Sequence, residues 1–358
     1  MSEPFPYDGL PETHFWRRVH SDPASLASDP QGVVKWQLDP GVRVASAGSC
    51  FASRIAEHLQ RYGFDYVVTE PGPSWLDAAQ RSAYNYGRYS FRCGDVFVVA
   101  QMAQLLQRAL GRFVPLEDVW RSADGTYLDP FRPVIQPGGF ASLRELHADR
   151  RAHLDSVRRA FEQADLFIYT LGLTEAWVDR RDNAILPFCP GRGRGKFDPE
   201  LIAFHNFCVD EVSEHLESLR GAILEVNPEL RTILTVSPVP LAATLEGPNV
   251  MRSTVYSKSI LRVAAERLAR AHDDVDYFAS YEIVLAGGFR PPFFAEDGRT
   301  VTEAGVYAVM RSFYRNYFGA ELDSMSPVEA EPTRSAVVVK PCDEELLLSE
   351  IERDFERS

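Results

Sequence analysis

Apolar residues recur along the chain in two alternating patterns. Short and almost continuous apolar runs are typical of buried parallel strands, whereas apolar residues three or four positions apart are typical of amphipathic helices. The predicted strands are Val42–Ala47, Phe64–Val68, Leu166–Thr170, Thr232–Val236 and Val275–Phe278. The predicted helices are Phe51–Tyr62, Val96–Leu110, Arg150–Gln163, Val209–Val226, Ser257–His272 and Thr302–Tyr317. This alternation predicts an α/β fold, a three-layer α/β/α sandwich around a mostly parallel sheet of about five strands.

Several long segments lie outside this repeat. Residues 1–40 are predicted to form an N-terminal arm ahead of a domain at 41–318, and residues 319–358 are predicted to be a linker followed by an amphipathic helix. The apolar face of that helix either docks on its own domain or contacts a second copy in a homodimer. Lid-like insertions interrupt the domain at 69–93, 111–149 and 179–207. Loops of this length are uncommon in compact domains unless they cover or form a binding site.

Composition narrows the possible functions. The 358 residues carry a net charge of −13, which disfavours binding to nucleic acid or to an anionic membrane surface. No apolar run approaches the length of a membrane span, and the first residues lack the basic and apolar regions of a signal peptide. We therefore predict a cytoplasmic protein with no membrane partner. The five cysteines are scattered without a Cys-x-x-Cys pair, which predicts reduced thiols rather than a disulfide framework or a zinc site. We predict no metal site and no cofactor.

Ligands of parallel α/β sheets bind at the carboxyl ends of the strands, so the residues that follow each strand are the first candidates for function. Gly48, Ser49 and Cys50 follow the first predicted strand and begin the first helix. The backbone N–H groups and the dipole of a helix N-terminus favour a thiolate, which makes Cys50 a candidate nucleophile. The alternative is a tight turn in which three small residues only avoid steric conflict.

Polar residues also follow the later strands. Gly172, Thr174 and Glu175 follow the third predicted strand, where a glycine allows close approach to a ligand and a hydroxyl or carboxylate can orient a reacting group. The alternative role of Thr174 is to cap a helix. Ser237 follows the fourth strand in a Pro-rich turn, and the segment Asp297–Thr300 precedes the last helix.

Five motifs occur along the chain in a specific order. They are Gly48-Ser-Cys-Phe-Ala52, Pro137-Gly-Gly-Phe140, Thr170-Leu-Gly-Leu-Thr-Glu-Ala-Trp177, Thr235-Val-Ser-Pro-Val-Pro-Leu241 and Tyr256-Ser-Lys-Ser259. Together they resemble the bacterial GSCFA-domain family over roughly residues 40–318. That family is similar to the SGNH (GDSL-type) hydrolases, which are esterases, lipases and acyltransferases. The resemblance implies a flavodoxin-like α/β/α fold and an ester hydrolase or O-acyltransferase.

The resemblance also implies roles for particular residues. The first block of the SGNH hydrolases, Gly-Asp-Ser-Leu, falls on Gly48-Ser49-Cys50-Phe51, so Cys50 occupies the place of the serine nucleophile and Ser49 lies beside it. The glycine of the oxyanion hole corresponds to Gly94, with Gly87 as a competitor. The third block, Gly-x-Asn-Asp, falls on Gly172 to Glu175, so Thr174 replaces the asparagine donor.

The last block of those enzymes, Asp-x-x-His, shows the largest departure. Here it reads Asp297-Gly-Arg-Thr300, so Thr300 stands where the general-base histidine is expected. A threonine does not accept a proton at neutral pH, so the chain is either catalytically silent or has its base elsewhere. A cysteine depends less on a base than a serine does, because part of it is already ionised. His205, in the insertion after the third strand, is a candidate base, and its alternative is a buried structural histidine.

Two hypotheses follow from these residues. In the first, Cys50 attacks an ester or thioester of an acylated glycan or small metabolite, and the acyl group passes either to water or from an acyl donor to an acceptor. The N–H groups of Cys50 and Gly94 hold the oxyanion together with Thr174, and His205 or Glu175 handles the proton.

The second hypothesis is a non-catalytic pseudo-hydrolase. It would use the same pocket to bind a glycan or a small acid, and Arg92, Lys258 and Arg299 would then matter more than Cys50. The missing histidine favours binding, whereas the thiol at the place of the nucleophile favours chemistry.

Overall fold

The structure is a computed structural model of the chain and describes residues 5–21, 29–285, 293–325 and Asp343. Its strands are β1 (Val44–Gly48), β2 (Trp120–Arg121), β3 (Tyr127–Leu128), β4 (Leu166–Leu171), β5 (Glu175–Asp179), β6 (Ala184–Leu186), β7 (Ile202–Asn206), β8 (Arg231–Val236) and β9 (Val275–Phe278). Its α-helices are α1 (Trp16–Ser21), α2 (Cys50–Arg61), α3 (Ala78–Ala83), α4 (Val99–Ala109), α5 (Leu143–Gln163), α6 (Val209–Val226), α7 (Val250–Ala271), α8 (Ser280–Leu285) and α9 (Glu303–Phe318).

Four of the strands form a parallel central sheet in the order β1-β4-β8-β9. Helices cover both of its faces, because successive side chains of a buried strand point to opposite sides. In β4, Phe167 and Tyr169 pack in the core beneath α4, α5, α6 and α7, whereas Leu166 and Ile168 pack with α2, α8 and α9. The predicted three-layer α/β/α sandwich is confirmed.

The sheet has one full strand fewer than the sequence predicts. The segment predicted as the strand Phe64–Val68 pairs with β1 through a single parallel bridge between Val44 and Tyr66. Further along the same edge, Ser90 donates its N–H to Ser46 O (3.3 Å) and accepts the N–H of Ser46 on its hydroxyl (2.9 Å). Because Ser90 occupies the hydrogen-bonding groups of β1 there, the preceding segment cannot extend its pairing. If the segment at Tyr66 is counted as the second strand along the chain, it lies at the edge of the sheet beside β1. The resulting strand order is flavodoxin-like.

The three insertions differ from the loops that the sequence predicts. The insertion at 179–207 contains β6 and β7, which flank β5 in an antiparallel three-stranded sheet. The insertion at 111–149 contains the β2–β3 pair and the first turns of α5. At the end of the insertion at 69–93, every residue from 88 to 100 is buried, so this part belongs to the core.

Arg92, a cation of the binding hypothesis, lies inside this core. Its side chain is about 1 % exposed and donates to Asp149 Oδ1 (2.6 Å) and to the carbonyl oxygens of Ile135 (2.8 Å) and Tyr84 (2.6 Å). Arg132 shares Asp149 and also pairs with Asp129. A buried cation with this many partners holds the first two insertions against α5, so Arg92 has a structural role.

The described part of the N-terminal arm runs along the domain. Leu38 donates its N–H to Tyr317 O (2.7 Å), and Lys35 donates its N–H to Asp276 Oδ2 (3.1 Å). The predicted C-terminal helix lies outside the described residues except for Asp343, which is buried and accepts the N–H of Asp95 (3.0 Å). Within the described ranges, none of the helices combines the length and the apolar character that crossing a bilayer requires.

Candidate active site

The carboxyl ends of β1, β4 and β8 meet at one edge of the sheet. At the end of β1, Gly48 has a φ of +143°, and a Cβ built on it would lie 2.3 Å from Thr170 O. Only glycine permits this conformation and this approach. The next residue, Ser49, donates its N–H to the same carbonyl oxygen (3.1 Å). The turn after β1 is therefore held directly over the end of β4.

Helix α2 begins at Cys50, immediately after this turn. Ser49 is its N-cap residue with extended backbone angles, and the buried side chains Phe51, Ile55 and Leu59 fix the helix on the sheet. The first N–H groups of a helix have no intrahelical acceptor and lie at the positive end of its dipole. The sequence thus places the thiol of Cys50 at an N-terminus whose direction is set by core packing.

Cys50 lines a small cleft with about 220 Å³ of empty space, named here the Cys50 cleft. Its lining consists of Ser49, Cys50, Phe97, Gly172, Leu173, Ser237, Val239, Pro240, Lys258 and Arg299. The structure therefore brings together four of the predicted site residues, from the ends of three different strands. Ser237 follows β8, and its hydroxyl accepts the N–H of Val239 (3.3 Å).

The two neighbouring residues of the turn differ in accessibility. Cys50 is partly exposed, whereas Ser49 is 4 % exposed and its hydroxyl has no hydrogen-bond partner among the described residues. An unpaired buried hydroxyl costs free energy, and a substrate oxygen in the cleft would supply the missing partner. Of the two side chains, Cys50 is the one that a substrate can reach, and Ser49 is placed to assist.

Gly172 forms the opposite wall of the turn. A Cβ built on it would lie 2.9 Å from Ser49 Cβ and 2.8 Å from Phe97 O. Leu173 donates its N–H to the same Phe97 carbonyl oxygen (2.7 Å). Position 172 therefore requires a glycine, because the end of β1, the end of β4 and the segment before α4 approach one another closely there.

Two basic side chains line the Cys50 cleft. Lys258 is fully buried on α7 and donates its Nζ to Gly172 O (2.6 Å). Arg299 donates its Nε to Pro240 O (3.2 Å). No carboxylate occurs among the described residues that line this cleft. Both cations are close to any thiolate, carboxylate or oxyanion in the cleft, and a nearby positive charge favours such an anion.

Two of the proposed oxyanion donors lie outside the Cys50 cleft. The N–H of Thr174 donates to Ser257 Oγ (3.1 Å), and its hydroxyl donates to Asn206 Oδ1 (2.6 Å), so both of its donors are occupied. Thr174 also begins no helix, since β5 follows it. Gly94 and its competitor Gly87 do not line the cleft either, and Phe97 is the residue of that segment that does.

Asp297 and Thr300 are exposed and bond to each other. Asp297 accepts the N–H (2.9 Å) and the hydroxyl (2.6 Å) of Thr300, an arrangement that closes a surface turn. These bonds hold the pKa of Asp297 below its ordinary value. Only Arg299, between them, reaches the cleft, so the predicted roles of Asp297 and Thr300 at the site are not supported by their positions.

The two candidate bases are also outside the Cys50 cleft. His205 pairs through Nε2 with Glu211 (2.8 Å), and its side chain is 40 % exposed, so it is neither at Cys50 nor a buried structural histidine. Glu175 is half-buried, accepts the hydroxyl of Thr244 (2.7 Å) and lines a larger neighbouring cleft. Burial raises the pKa of Glu175, and this effect outweighs the bond from Thr244.

Sequence reasoning gave Lys258 only a secondary place. A sequence signal for it exists, because Lys258 is followed at i+3 and i+7 by Leu261 and Ala265, which lie on the buried face of α7. A lysine on the apolar stripe of a helix requires a specific partner. Phe97 carries no comparable signal, since its place in the cleft depends on contacts with Gly172 and Leu173. Among the described residues, no cluster of three His, Cys, Asp or Glu side chains is placed to hold a metal ion.

Comparison with known proteins assigns the chain to a family. The profile of the GSCFA family matches residues 43–313, and the chain belongs to this family. Comparison with curated protein sequences gives no match.

Two solved structures are among those similar to this chain. A family 3 carbohydrate esterase from Clostridium thermocellum is 12 % identical, with 76 % of this chain and 94 % of that chain covered and a TM-score of 0.32. A variant of an acetyl-xylooligosaccharide esterase from Geobacillus is 15 % identical, with 80 % and 98 % covered and a TM-score of 0.33. Similarities at this level do not assign an activity.

Proposed function

We propose that the protein is an SGNH-like ester hydrolase or O-acyltransferase in which Cys50 is the nucleophile. The observation that carries this proposal is the position of the thiol. Cys50 is partly exposed at the N-terminus of α2, in a cleft that Lys258 and Arg299 also line. A helix N-terminus and neighbouring cations both favour the thiolate, which is the reactive form of cysteine.

The proposed reaction has two steps. The thiolate of Cys50 attacks the carbonyl carbon of an ester or thioester, the acyl–oxygen or acyl–sulfur bond breaks, and the alcohol or thiol leaves with a proton taken from solvent. Water then attacks the acyl-cysteine, releasing a carboxylate, a proton and the free thiol. In acyl transfer, the hydroxyl group of an acceptor replaces this water.

The oxyanion of each tetrahedral intermediate needs donors close to the thiol. The N–H of Cys50 at the start of α2 and the hydroxyl of Ser49 are the nearest in sequence, and the Ser49 hydroxyl has no partner among the described residues. They replace Gly94 and Thr174 in this role. Lys258 and Arg299 line the same cleft, and a cysteine nucleophile depends less on a general-base histidine than a serine does.

The same two cations support the second candidate function, a non-catalytic binder of a small acid or of an acidic glycan. In that case Lys258 and Arg299 pair with the carboxylate of the ligand, and Cys50 only lines the pocket.

The deciding experiment is to trap the acyl-enzyme. The full-length protein is mixed with p-nitrophenyl acetate, an acetylated oligosaccharide and an acyl thioester, and the modified peptide is identified by mass spectrometry. We expect an acyl group on Cys50 in the wild type and none at this position in Cys50→Ser, because no histidine or carboxylate among the described residues of the cleft is available to deprotonate a hydroxyl. Binding of an acid without acylation or turnover would favour the second candidate, and acylation of Ser49 would reverse the assignment of the nucleophile.

A further inference from the structure

A second cleft adjoins the Cys50 cleft, and its empty space is about 1670 Å³ when the open solvent at its mouth is included. We name it the aromatic cleft, because its walls include Trp120, Trp177, Phe188, Phe197 and Phe204. The aliphatic side chain of Leu245 also lines it. Trp177 on β5 and Phe204 on β7 are paired across the sheet, and their ring centroids lie 5.9 Å apart at 70°. Phe197 makes an edge contact with Trp177 at a centroid distance of 5.6 Å. The antiparallel sheet thus presents a continuous apolar surface.

The two clefts share a wall. Phe97 and Leu173 line both of them, and Phe97 makes an edge contact with Phe188 at a centroid distance of 5.6 Å. The two clefts are therefore adjacent, with Phe97 and Leu173 at their boundary. One end of the combined site is small and cationic, with Lys258 and Arg299, and the rest is large and mainly apolar.

We propose that the aromatic cleft binds the apolar acyl chain of the substrate, a chain of about eight carbons or more whose carbonyl carbon reaches Cys50. This inference rests on the proposed function and names its substrate class. An amphiphile with one charged end matches the distribution of charge, because the carboxylate product would lie near Lys258 and Arg299 while its chain covers the rings.

The charged residues of the aromatic cleft agree with this occupant. They are Glu175, Arg192 and Arg194 among the described residues. Glu175 is half-buried and bonded to Thr244, and burial favours its neutral form. Arg192 is an exposed residue, and the methylene groups of an arginine side chain can cover apolar surface.

The test compares carboxylates of increasing length by calorimetric titration of the wild-type, full-length protein. Acetate, octanoate and dodecanoate are the probes. Each buried methylene group contributes up to about 0.8 kcal/mol, or fourfold in affinity, so dodecanoate should bind roughly 15- to 250-fold more tightly than octanoate. An affinity that does not depend on chain length would overturn the inference.

Two variants test whether the acyl chain binds in the aromatic cleft. Ala243 is an exposed residue that lines the aromatic cleft, and Ala243→Trp should fill part of it, weakening dodecanoate at least about tenfold and leaving acetate unchanged. Phe204→Ala should weaken dodecanoate in the same direction. The matched control is His205→Ala, since His205 is the next residue of β7, faces Glu211 and does not line the cleft. Loss of dodecanoate binding in the His205→Ala control alone would show that the acyl chain binds outside the aromatic cleft.

The titrations separate this inference from the proposed function, because they involve no turnover. Tight, length-dependent binding without hydrolysis of any ester would retain the apolar site and remove the enzyme. Cleavage of acetyl esters that depends on Cys50, together with no binding of dodecanoate, would retain the enzyme and remove the acyl-chain site. Tighter binding of xylotetraose than of dodecanoate would assign the aromatic rings to a glycan instead.

Discussion

Two of the described helices have a cysteine at their N-terminal end, and of these two residues Cys50 alone lines one of the two clefts. Cys50 is the first residue of α2 and lines its cleft together with Lys258 and Arg299. Cys208 is the N-cap residue of α6, is exposed, and donates its N–H to Glu211 Oε2 (2.7 Å). The two thiols share the dipole of a helix N-terminus and differ in the sign of the charge beside them.

The comparison shows why a helix N-terminus alone does not define a reactive cysteine. At α6 the carboxylate of Glu211 already satisfies the N-terminus, and its bonds to the Cys208 backbone and to His205 hold the pKa of Glu211 below its ordinary value. A carboxylate beside a thiol opposes the thiolate, whereas cations favour it. At α2 the first residue of the helix lines a cleft, and the charged residues that line it in the described part of the chain are Lys258 and Arg299.

The largest expected effect is on turnover. Cys50→Ala should lower ester or thioester cleavage by about 10³-fold or more, because the nucleophile is lost. Cys208→Ala should change the rate less than about twofold, since Cys208 lines neither cleft. The measurement is kcat/KM on the substrate that acylates the wild type. Full activity in Cys50→Ala would remove this turn from the chemistry.

The next effect tests the charge beside α2. Lys258→Met should lower kcat/KM by about 10²-fold, because the reacting anions in the cleft lose a nearby cation. Lys196→Met is the control, since Lys196 is exposed and lines neither cleft. Equal rates in Lys258→Met and wild type would show that the charge of Lys258 has no part in the reaction.

The sheet could be predicted from the sequence because local pattern decides it. The run Leu166–Thr170 is almost continuously apolar, so both faces of the strand carry apolar side chains. Such a strand fits only between two layers of helices. The predicted strand at Tyr66 is too long, because Ser90 competes with it for the hydrogen-bonding groups of β1. Ser90 lies in a buried segment that the sequence pattern indicates to be part of an insertion. The length of this strand depends on whether the segment at Tyr66 or the segment at Ser90 pairs with β1. The local sequence patterns of the two segments do not predict which one pairs.

The site could be predicted only in part, for a related reason. Cys50, Gly172 and Ser237 follow strands directly, so topology alone brings them together. His205 was expected near Cys50 because the insertion was interpreted as a loop, whereas it contains a strand. In a strand, neighbouring residues face opposite sides, so once Phe204 faces the aromatic cleft, His205 faces away from it.

A smaller effect concerns alkylation of the thiols. At pH 7 and with Cys342 replaced by Ser, iodoacetamide should modify Cys50 about fivefold faster than Cys208. Cys189 should react more slowly, because burial raises its pKa to about 11, and the buried Cys93 should stay unmodified, since burial also raises its pKa. Peptide mass spectrometry over time gives the four rates.

The same experiment on a variant tests the role of Glu211. Glu211→Gln should speed the alkylation of Cys208 and leave that of Cys50 unchanged, because the opposing carboxylate is removed from α6 alone. If Cys208 reacts first in the wild type, the charge beside each helix does not control these thiols.

The smallest expected effect compares histidines near the two helices. His58 of α2 contacts Tyr314, and burial followed by the nearby Arg61 and Arg54 lowers its pKa from 6.5 to about 4. The unfolded chain accepts a proton near pH 6.5 that the folded protein resists down to about 4, so stability should fall as the pH decreases through this window. After discounting for solvent screening, the loss by pH 5 is about 1 kcal/mol, or ~2 °C in Tm. His58→Gln should remove this part of the pH dependence in thermal unfolding, and His205→Gln should leave it intact. An equal loss of stability in wild type and His58→Gln between pH 7 and 5 would show that α2 contributes no such resistance to protonation.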